Sequence, residues 1–244
     1  MNLSVIEPRW PAPANVRALS TLRDGGVSTG VYGSLNLADH VEDQIAHVKE
    51  NRRRLRIGQA LPDEPCWLRQ VHGVRVVDLD APQPDLTADA AVTRRKHLVC
   101  AILTADCLPV LFTDVAGECI AAAHAGWRGL SAGVLEATVD AMQTAPSRLL
   151  AWLGPAIGAQ RFEVGAEVRA AFVRHDAAAD LAFTPAPSAR YLADLGLLAR
   201  QRLSMMGVRQ VSGSDACTHS EPQRFFSHRR DGRSGRQATL IWKI

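Results

Sequence analysis

Between Leu98 and Ala125 the chain carries three short, nearly unbroken apolar runs, LVCAIL, LPVLFT and CIAAAHA, and no other feature restricts its fold as much. Runs of this length without polar alternation predict strands buried on both faces rather than amphipathic helices. DVAGE (114–118) joins the second run to the third as a hairpin loop, and RLLAWL (148–153) predicts another buried strand, stopped by Gly154 and Pro155.

Helical patterns interleave with these strands. Ile45, Val48 and Leu55 predict a helix over about 42–57, with Arg52, Arg53, Arg54 and Arg56 as its solvated face. CWLRQV (66–71) and VRVVDL (74–79) read as strands, with His72 and Gly73 at the turn or bulge between them. Another helix is expected from about 131, with Val134, Leu135, Thr138 and Met142 on one side, and a further one over 164–174. Leu192, Leu195, Ala199 and Met206 fall in phase on a last helix, ended by Gly207. Residues 23–40 read as short strands and tight turns around Gly25, Gly26, Gly30 and Gly33. The stretches 81–86, 176–190 and 225–236 read as loops, with 82–87 and 176–190 as covers for a cleft, and 237–244 as a final strand. The expected class is α+β, one domain over residues 1–244, without clean βαβ repeats.

Of 244 residues, 47% are apolar and 22% charged, ordinary globular usage. Lys plus Arg exceed Asp plus Glu by 28 − 25 = 3, too little to indicate a nucleic-acid or membrane partner. Glu7, Pro8 and Arg9 interrupt the N-terminal stretch where a secretory apolar core would lie, and the five cysteines show no C-x-x-C spacing. Free thiols in the cytoplasm are the expectation.

Three segments offer chemistry. In TADCLPV, Asp106 and Cys107 stand in a polar break between two buried strands, taken as an apolar hairpin, where an unpaired carboxylate is costly. In AAAHAGWRGL, His124 ends a strand, and Gly126 and Gly129 flank Arg128 before a helix, a setting suited to anions. In LRQVHG, His72 follows a strand and precedes a glycine. Each alone is as easily structural. Together, two imidazoles and a thiolate suit zinc and leave a fourth position open, the composition of a catalytic site. His40, His47, His97 and His175 look weaker, lacking polar company.

The same segments carry a resemblance. RDGGVS and YGSLNL, then RQVHG, TADCLPVLF, AAHAGWRGL, LGPAIG, FEVG, FFSHRRDG and GRQA follow in the order seen in the laccase-domain (YfiH-type) family, named both multicopper polyphenol oxidase and purine nucleoside phosphorylase. The chain resembles that family from about Arg23 to Trp242, departing at Leu19 to Leu22, where an aromatic residue and a Thr-Arg pair are usual. The resemblance implies a four-layer α/β/β/α arrangement of mixed sheets and Zn²⁺ held by His72, Cys107 and His124. It implies phosphorolysis of adenosine, inosine, guanosine and methylthioadenosine to base and (thio)ribose-1-phosphate, and adenosine deamination. Catalytic roles are then expected for Asp106 (as a proton shuttle), Cys107 and His124. Purine nucleoside and phosphate contacts are expected among Arg23, Asn36, Arg69, Gln70, Arg128, His228, Arg229 and Arg230, all within the matching motifs. The H-x-E and P-C-x-x-C signature of the zinc base deaminases is absent.

Three other readings stand beside this one. His₂Cys also binds copper, which outcompetes zinc on purification, yet eight histidines with no H-x-H pair do not suit a multicopper cluster. Cys107 with His124 as base would make a hydrolase or amidase, acting for instance on a nucleotide-linked cell-wall precursor. A non-enzymatic binding module leaves the Cys, His and Asp at strand ends without a reason. Oligomeric state is not legible.

Overall fold

Side chains along the buried strands alternate between two different cores, which is how a strand can be apolar throughout. The computed structural model describes residues 3–213 and 215–244. In chain order its strands are β1 (Val5–Ile6), β2 (Val16–Thr21), β3 (Cys66–Trp67), β4 (Val76–Asp78), β5 (Ala90–Thr93), β6 (Val99–Thr104), β7 (Leu108–Asp114), β8 (Ile120–Ala125), β9 (Leu149–Leu153), β10 (Glu163–Val164), β11 (Phe183–Ala186), β12 (Arg190–Ala193), β13 (Gln210–Gly213) and β14 (Gln237–Lys243). The α-helices are α1 (Ile45–Gly58), α2 (Trp127–Ala132), α3 (Val134–Met142), α4 (Ala166–Val173), α5 (Leu195–Met206) and α6 (His228–Asp231).

One sheet has the order β1-β2-β14-β6-β3 and the other β13-β9-β7-β8-β5-β4, with β10-β12-β11 as a small antiparallel sheet. Both large sheets are mixed, since β3 joins β6, β13 joins β9 and β4 joins β5 in parallel while the other pairs are antiparallel. In β6, Cys100 and Ile102 point between the sheets, while Val99, Ala101 and Leu103 point to the outer core that Leu55 of α1 completes. In β8, Ile120 and Ala122 face the middle, while Ala121 and Ala123 pack under α3, α4 and α5. The result is four layers, α/β/β/α, as the family resemblance implied. Burial on both faces comes from this stacking, not from an all-parallel sheet. The five cysteines are free thiols.

Several sequence-based expectations need correction. Residues 23–40 form turns and one short 3-10 helix (Gly30–Tyr32) in place of the short strands expected there. Helix α1 buries Val48, Asn51 and Leu55 but leaves Ile45 more than half exposed. Asn51 takes its place on the inner face, bonding Val27 N–H, Ser28 Oγ and the carbonyls of Ser34 and Asn36. The single helix expected from 131 is two, broken at Gly133, whose φ of 105° suits glycine. The low-complexity stretch 176–190 is not a loop. Ala179, Ala182 and Phe183 are buried, and its second half pairs as β11 with β12. Leu192 lies in β12, before the helix it was assigned to; Gly207 (φ 91°) does end α5. Strand β3 stops at Trp67 because the side chain of Gln70 takes over the pairing, donating to Leu103 O and accepting from Leu103 N–H, both at 2.9 Å.

A candidate metal centre beside a cleft

Three segments that cross from one large sheet to the other build the site. Residues 68–75 between β3 and β4 carry His72, residues 105–107 between β6 and β7 carry Cys107, and residues 215–236 between β13 and β14 carry His228 and Arg229. The break at TADC is therefore a corner between sheets, not the hairpin its apolar flanks suggested. Strand β8 ends beside these corners and supplies His124.

The ligand atoms of His72, Cys107 and His124 all lie within 4.8 Å of one another. The two imidazoles meet edge to face, 4.7 Å between centroids. His124 is buried, Cys107 half-buried and His72 exposed, so the group opens to solvent on the His72 side.

Asp89, which sequence reasoning passed over, organises this centre. Its fully buried carboxylate accepts His124 Nδ1–H at 2.8 Å and the backbone N–H groups of Val71 (3.2 Å), His72 (2.9 Å) and Gly73 (2.7 Å). One side chain thus sets the His124 tautomer, leaving Nε2 for the ligand cluster, and folds the His72 turn, where φ is 60°. The only sequence signal was an acid inside TADAAV, an otherwise apolar segment entering β5.

Gly126 closes the other side. A Cβ there would stand 2.9 Å from Cys107 Sγ, 3.2 Å from His72 Cδ2 and 3.5 Å from His124 Nε2. The absent side chain is the space in which the three ligands face each other. Two imidazole nitrogens, a thiolate, a carboxylate behind one imidazole and room at the centre fit a metal of the zinc or copper type.

Burial opposes ionisation of the Cys107 thiol, but His124 and His72 outweigh it and hold the thiol down to about 6. Burial likewise opposes charge on His124, and Cys107 and Asp89 outweigh it, raising the imidazole to about 9. Without metal the pair is a thiolate facing an imidazolium, and a bound cation replaces the proton.

A cleft of about 270 Å³ runs from His72 and Cys107 along Asp106, Trp127, Arg128, Ile157, Phe162, Leu195, His228 and Arg229. Asp106 is paired, as a carboxylate in so apolar a setting requires. It accepts Thr218 Oγ1–H and Arg229 N–H, each at 2.6 Å, which ties the 215–236 segment to the Cys107 corner. Arg128 stacks over Trp127 and Arg229 over Phe162, with Arg229 Nη1 on Glu163 O at 2.7 Å. His228 donates Nδ1–H to Gly232 O, 2.6 Å away.

The other anion-binding candidates are not gathered here. Arg23 donates to Gly33 O and Pro222 O, and Arg230 to the carbonyls of Thr218, His219 and Phe225. Arg69 is exposed, bonded to Thr87 and near Asp85. Asn36 is buried and pinned to Ala38, Asp43 and Arg236, and Gln70 is the strand mimic described above. Neither 82–87 nor 176–190 lines the cleft. His40 and His47 do have polar company, His40 lying 3.6 Å from Asp39 and His47 4.0 Å from Asp43.

Comparison with known proteins places these features in a lineage. The chain is 53% identical to the purine nucleoside phosphorylase YfiH of Escherichia coli (strain K12), over 98% of this chain and 99% of that one. It is 53% identical to a purine nucleoside phosphorylase of Pseudomonas aeruginosa, over 97% of each. Among solved structures it is similar to a Neisseria meningitidis protein (47% identity, TM-score 0.93, 98% of each chain) and to the Bacillus licheniformis protein YfiH (30% identity, TM-score 0.88, 94% of this chain and 93% of that one). With the family model described as multi-copper polyphenol oxidoreductase laccase matching residues 17–244, the chain belongs to that family.

Proposed function

We propose that this chain is a cytoplasmic, zinc-dependent purine nucleoside phosphorylase, with residues 1–244 as one catalytic domain. The convergence of His72, Cys107 and His124 on the glycine-lined space at Gly126, beside a cleft with apolar walls, carries the reading. Relatives named purine nucleoside phosphorylase over nearly their whole length supply the reaction class. The substrates are adenosine, inosine, guanosine and methylthioadenosine with phosphate, and adenosine deamination is a second activity. Zinc, when bound, would supply Lewis acidity toward a substrate oxygen or a water.

In phosphorolysis a phosphate oxygen bonds to C1′ while the bond from C1′ to the purine nitrogen breaks and its electron pair leaves with the base. The protein's share is to hold both partners aligned and to meet the charges that develop. Ile157, Phe162, Leu195 and Trp127 offer a flat base an apolar wall. Arg128, Arg229 and His228 are the sequence-based substrate candidates that stand at this wall, and we assign nucleoside contact to them. Asp106 positions Arg229 through its backbone, and it is the cleft carboxylate we assign to proton movement in deamination.

One observation favours a second reading. Asp89, His124 and Cys107 stand in series like the acid, base and nucleophile of a cysteine hydrolase. Such an enzyme would have no use for His72 in the cluster. Copper oxidase chemistry of the multicopper kind needs further histidine groups, and among the described residues His72, Cys107 and His124 are the one converging set. The test is adenosine turnover with and without phosphate, on wild type and His72→Ala, with bound metal quantified on both. Phosphate-dependent adenine release that disappears together with zinc in the variant supports the proposal, and inosine formed without phosphate adds the deaminase. Full activity in His72→Ala, or a wild type free of metal and inert toward purines, overturns it in favour of the hydrolase.

A further inference from the structure

A second cavity of about 270 Å³ adjoins the metal cleft, with His228 on the wall of both. Its other walls are His40, Val41, Glu42, Arg233, Ser234 and Arg236. Of the two carboxylates nearby, Glu42 pairs with Arg233 at 2.8 Å, and Asp39 lies between Arg52 at 3.4 Å and His40 at 3.6 Å. Among the described residues Arg236 has no carboxylate partner. Arg23 and Arg200 lack carboxylates too but use their guanidinium nitrogens on backbone carbonyls, whereas Arg236, among the described residues, keeps two of its three nitrogens free for an anion.

Arg236 is also held in place. Its backbone N–H donates to Asn36 Oδ1 (2.9 Å), itself buried, and its guanidinium bonds the protein through Nη1 alone, to Ser234 O (2.8 Å), Gly235 O (3.0 Å) and Ser234 Oγ (3.4 Å). Nε and Nη2 form the other edge of the fork, the edge that grips two oxygens of one phosphate. Burial lowers the Arg236 pKa from its ordinary value, and the charges of Cys107 and Asp106 work against that lowering, which places this cation within electrostatic reach of the metal centre. His40 is lowered by burial and then by Arg236, so near neutral pH it is an uncharged hydrogen-bonding group rather than a second cation.

We infer that Arg236, with His40 and Ser234, forms a phosphate-binding subsite that opens into the metal cleft at His228. The group it takes is a phosphate, either inorganic phosphate as co-substrate or the phosphate of a nucleotide. Assigning it to catalysis rests on the phosphorolysis reading; the binding itself does not. The phosphate then sits on the His228 side of the nucleoside, with the metal centre on the other.

Calorimetric titration of the metal-loaded protein with inorganic phosphate tests the subsite, on wild type, Arg236→Gln, His40→Asp and Arg69→Gln. Arg236→Gln loses the fork, and His40→Asp sets a carboxylate on a half-exposed wall position that the fold tolerates. Each is expected to weaken phosphate about tenfold or more, while Arg69→Gln, outside both cavities, binds as wild type. KM for phosphate in adenosine cleavage rises with it, and KM for adenosine changes much less. A parallel titration with adenosine monophosphate separates the sources: affinity above that of inorganic phosphate, lost in Arg236→Gln, marks a nucleotide, and the reverse marks the free ion. A wild type that binds neither, or an Arg236→Gln and His40→Asp pair that bind phosphate as wild type does, overturns the subsite. Should Arg236→Gln fail to fold, His40→Asp decides alone. Phosphate bound through Arg236 by a protein that cleaves no nucleoside keeps the subsite and sinks phosphorolysis.

Discussion

Replacing Asp89 by Asn changes one atom's hydrogen-bonding character at the point where the metal centre joins the fold. Asp89 Oδ1 accepts from His124 Nδ1 and His72 N, and Oδ2 from Val71 N and Gly73 N. An asparagine must turn its NH₂ toward one of these pairs, so two acceptor contacts become donor–donor encounters in a site with no exposure to water. At about 1.5–3 kcal/mol for each of the two bonds to a charged group, the expected loss of stability is about 3–6 kcal/mol, close to that of a broken buried ion pair. A fold in the middle of the typical range, about 10 kcal/mol, survives that loss. If the NH₂ faces His124 instead, the imidazole escapes the clash by moving its proton to Nε2, which removes the lone pair that faces Cys107. Zinc affinity should then fall about 10–100-fold, as it does when a carboxylate bonded to a metal-ligating histidine is removed. Urea unfolding of metal-stripped wild type and variant reads the first effect free of ligand linkage. Chelator competition on refilled protein reads the second. A variant within about 1 kcal/mol and about threefold of wild type on both would refute the role given to Asp89.

Three further predictions concern the same centre. Gly126→Ala keeps an allowed backbone (φ −61°) but sets a Cβ 2.9 Å from Cys107 Sγ, so zinc binding should fall about tenfold or more while the unfolding midpoint moves little, and unchanged metal content would remove the cradle argument. In metal-stripped protein, alkylation of Cys107 by iodoacetamide, followed on its peptide by mass spectrometry, should rise with a midpoint near 6 rather than the ordinary value of about 8.5. The depressed thiol contributes stability that is present above about 8.5 and lost as pH falls through 6, and the raised His124 contributes stability present below about 6.5 and lost as pH rises through 9. The two describe one ion pair, complete only between those limits, so metal-free stability should decline on both sides of that window.

The strands of the sandwich and the ligand types were legible from the order of residues alone. LVCAIL, LPVLFT, CIAAAHA and RLLAWL became β6, β7, β8 and β9 within a residue or two, because length and unbroken hydrophobicity are local properties. His72, Cys107 and His124 could be singled out because each puts a metal-binding atom at the edge of a strand-forming run: His72 after CWLRQV, Cys107 before LPVLFT and His124 at the end of CIAAAHA. What the order of residues did not hold was which sheet each strand would enter. Only the stacked sheets turn TADC from a hairpin into a corner and bring that corner against the His72 turn and the end of β8. The same holds for the arginines. Arg23 and Arg230 resemble anion ligands in sequence, yet in the fold Arg23 spends Nε, Nη1 and Nη2 on backbone carbonyls and Arg230 bonds carbonyls and Asp231, while Arg236, among the described residues, bonds through Nη1 alone and has no carboxylate partner. Asp89 and Asp106 show the limit most plainly, because a buried carboxylate is defined by its partners, and those partners lie 16 to 123 residues away along the chain. Chemistry of each residue type is written in the sequence; which groups are left over once every other donor and acceptor is satisfied is decided only by the packed structure.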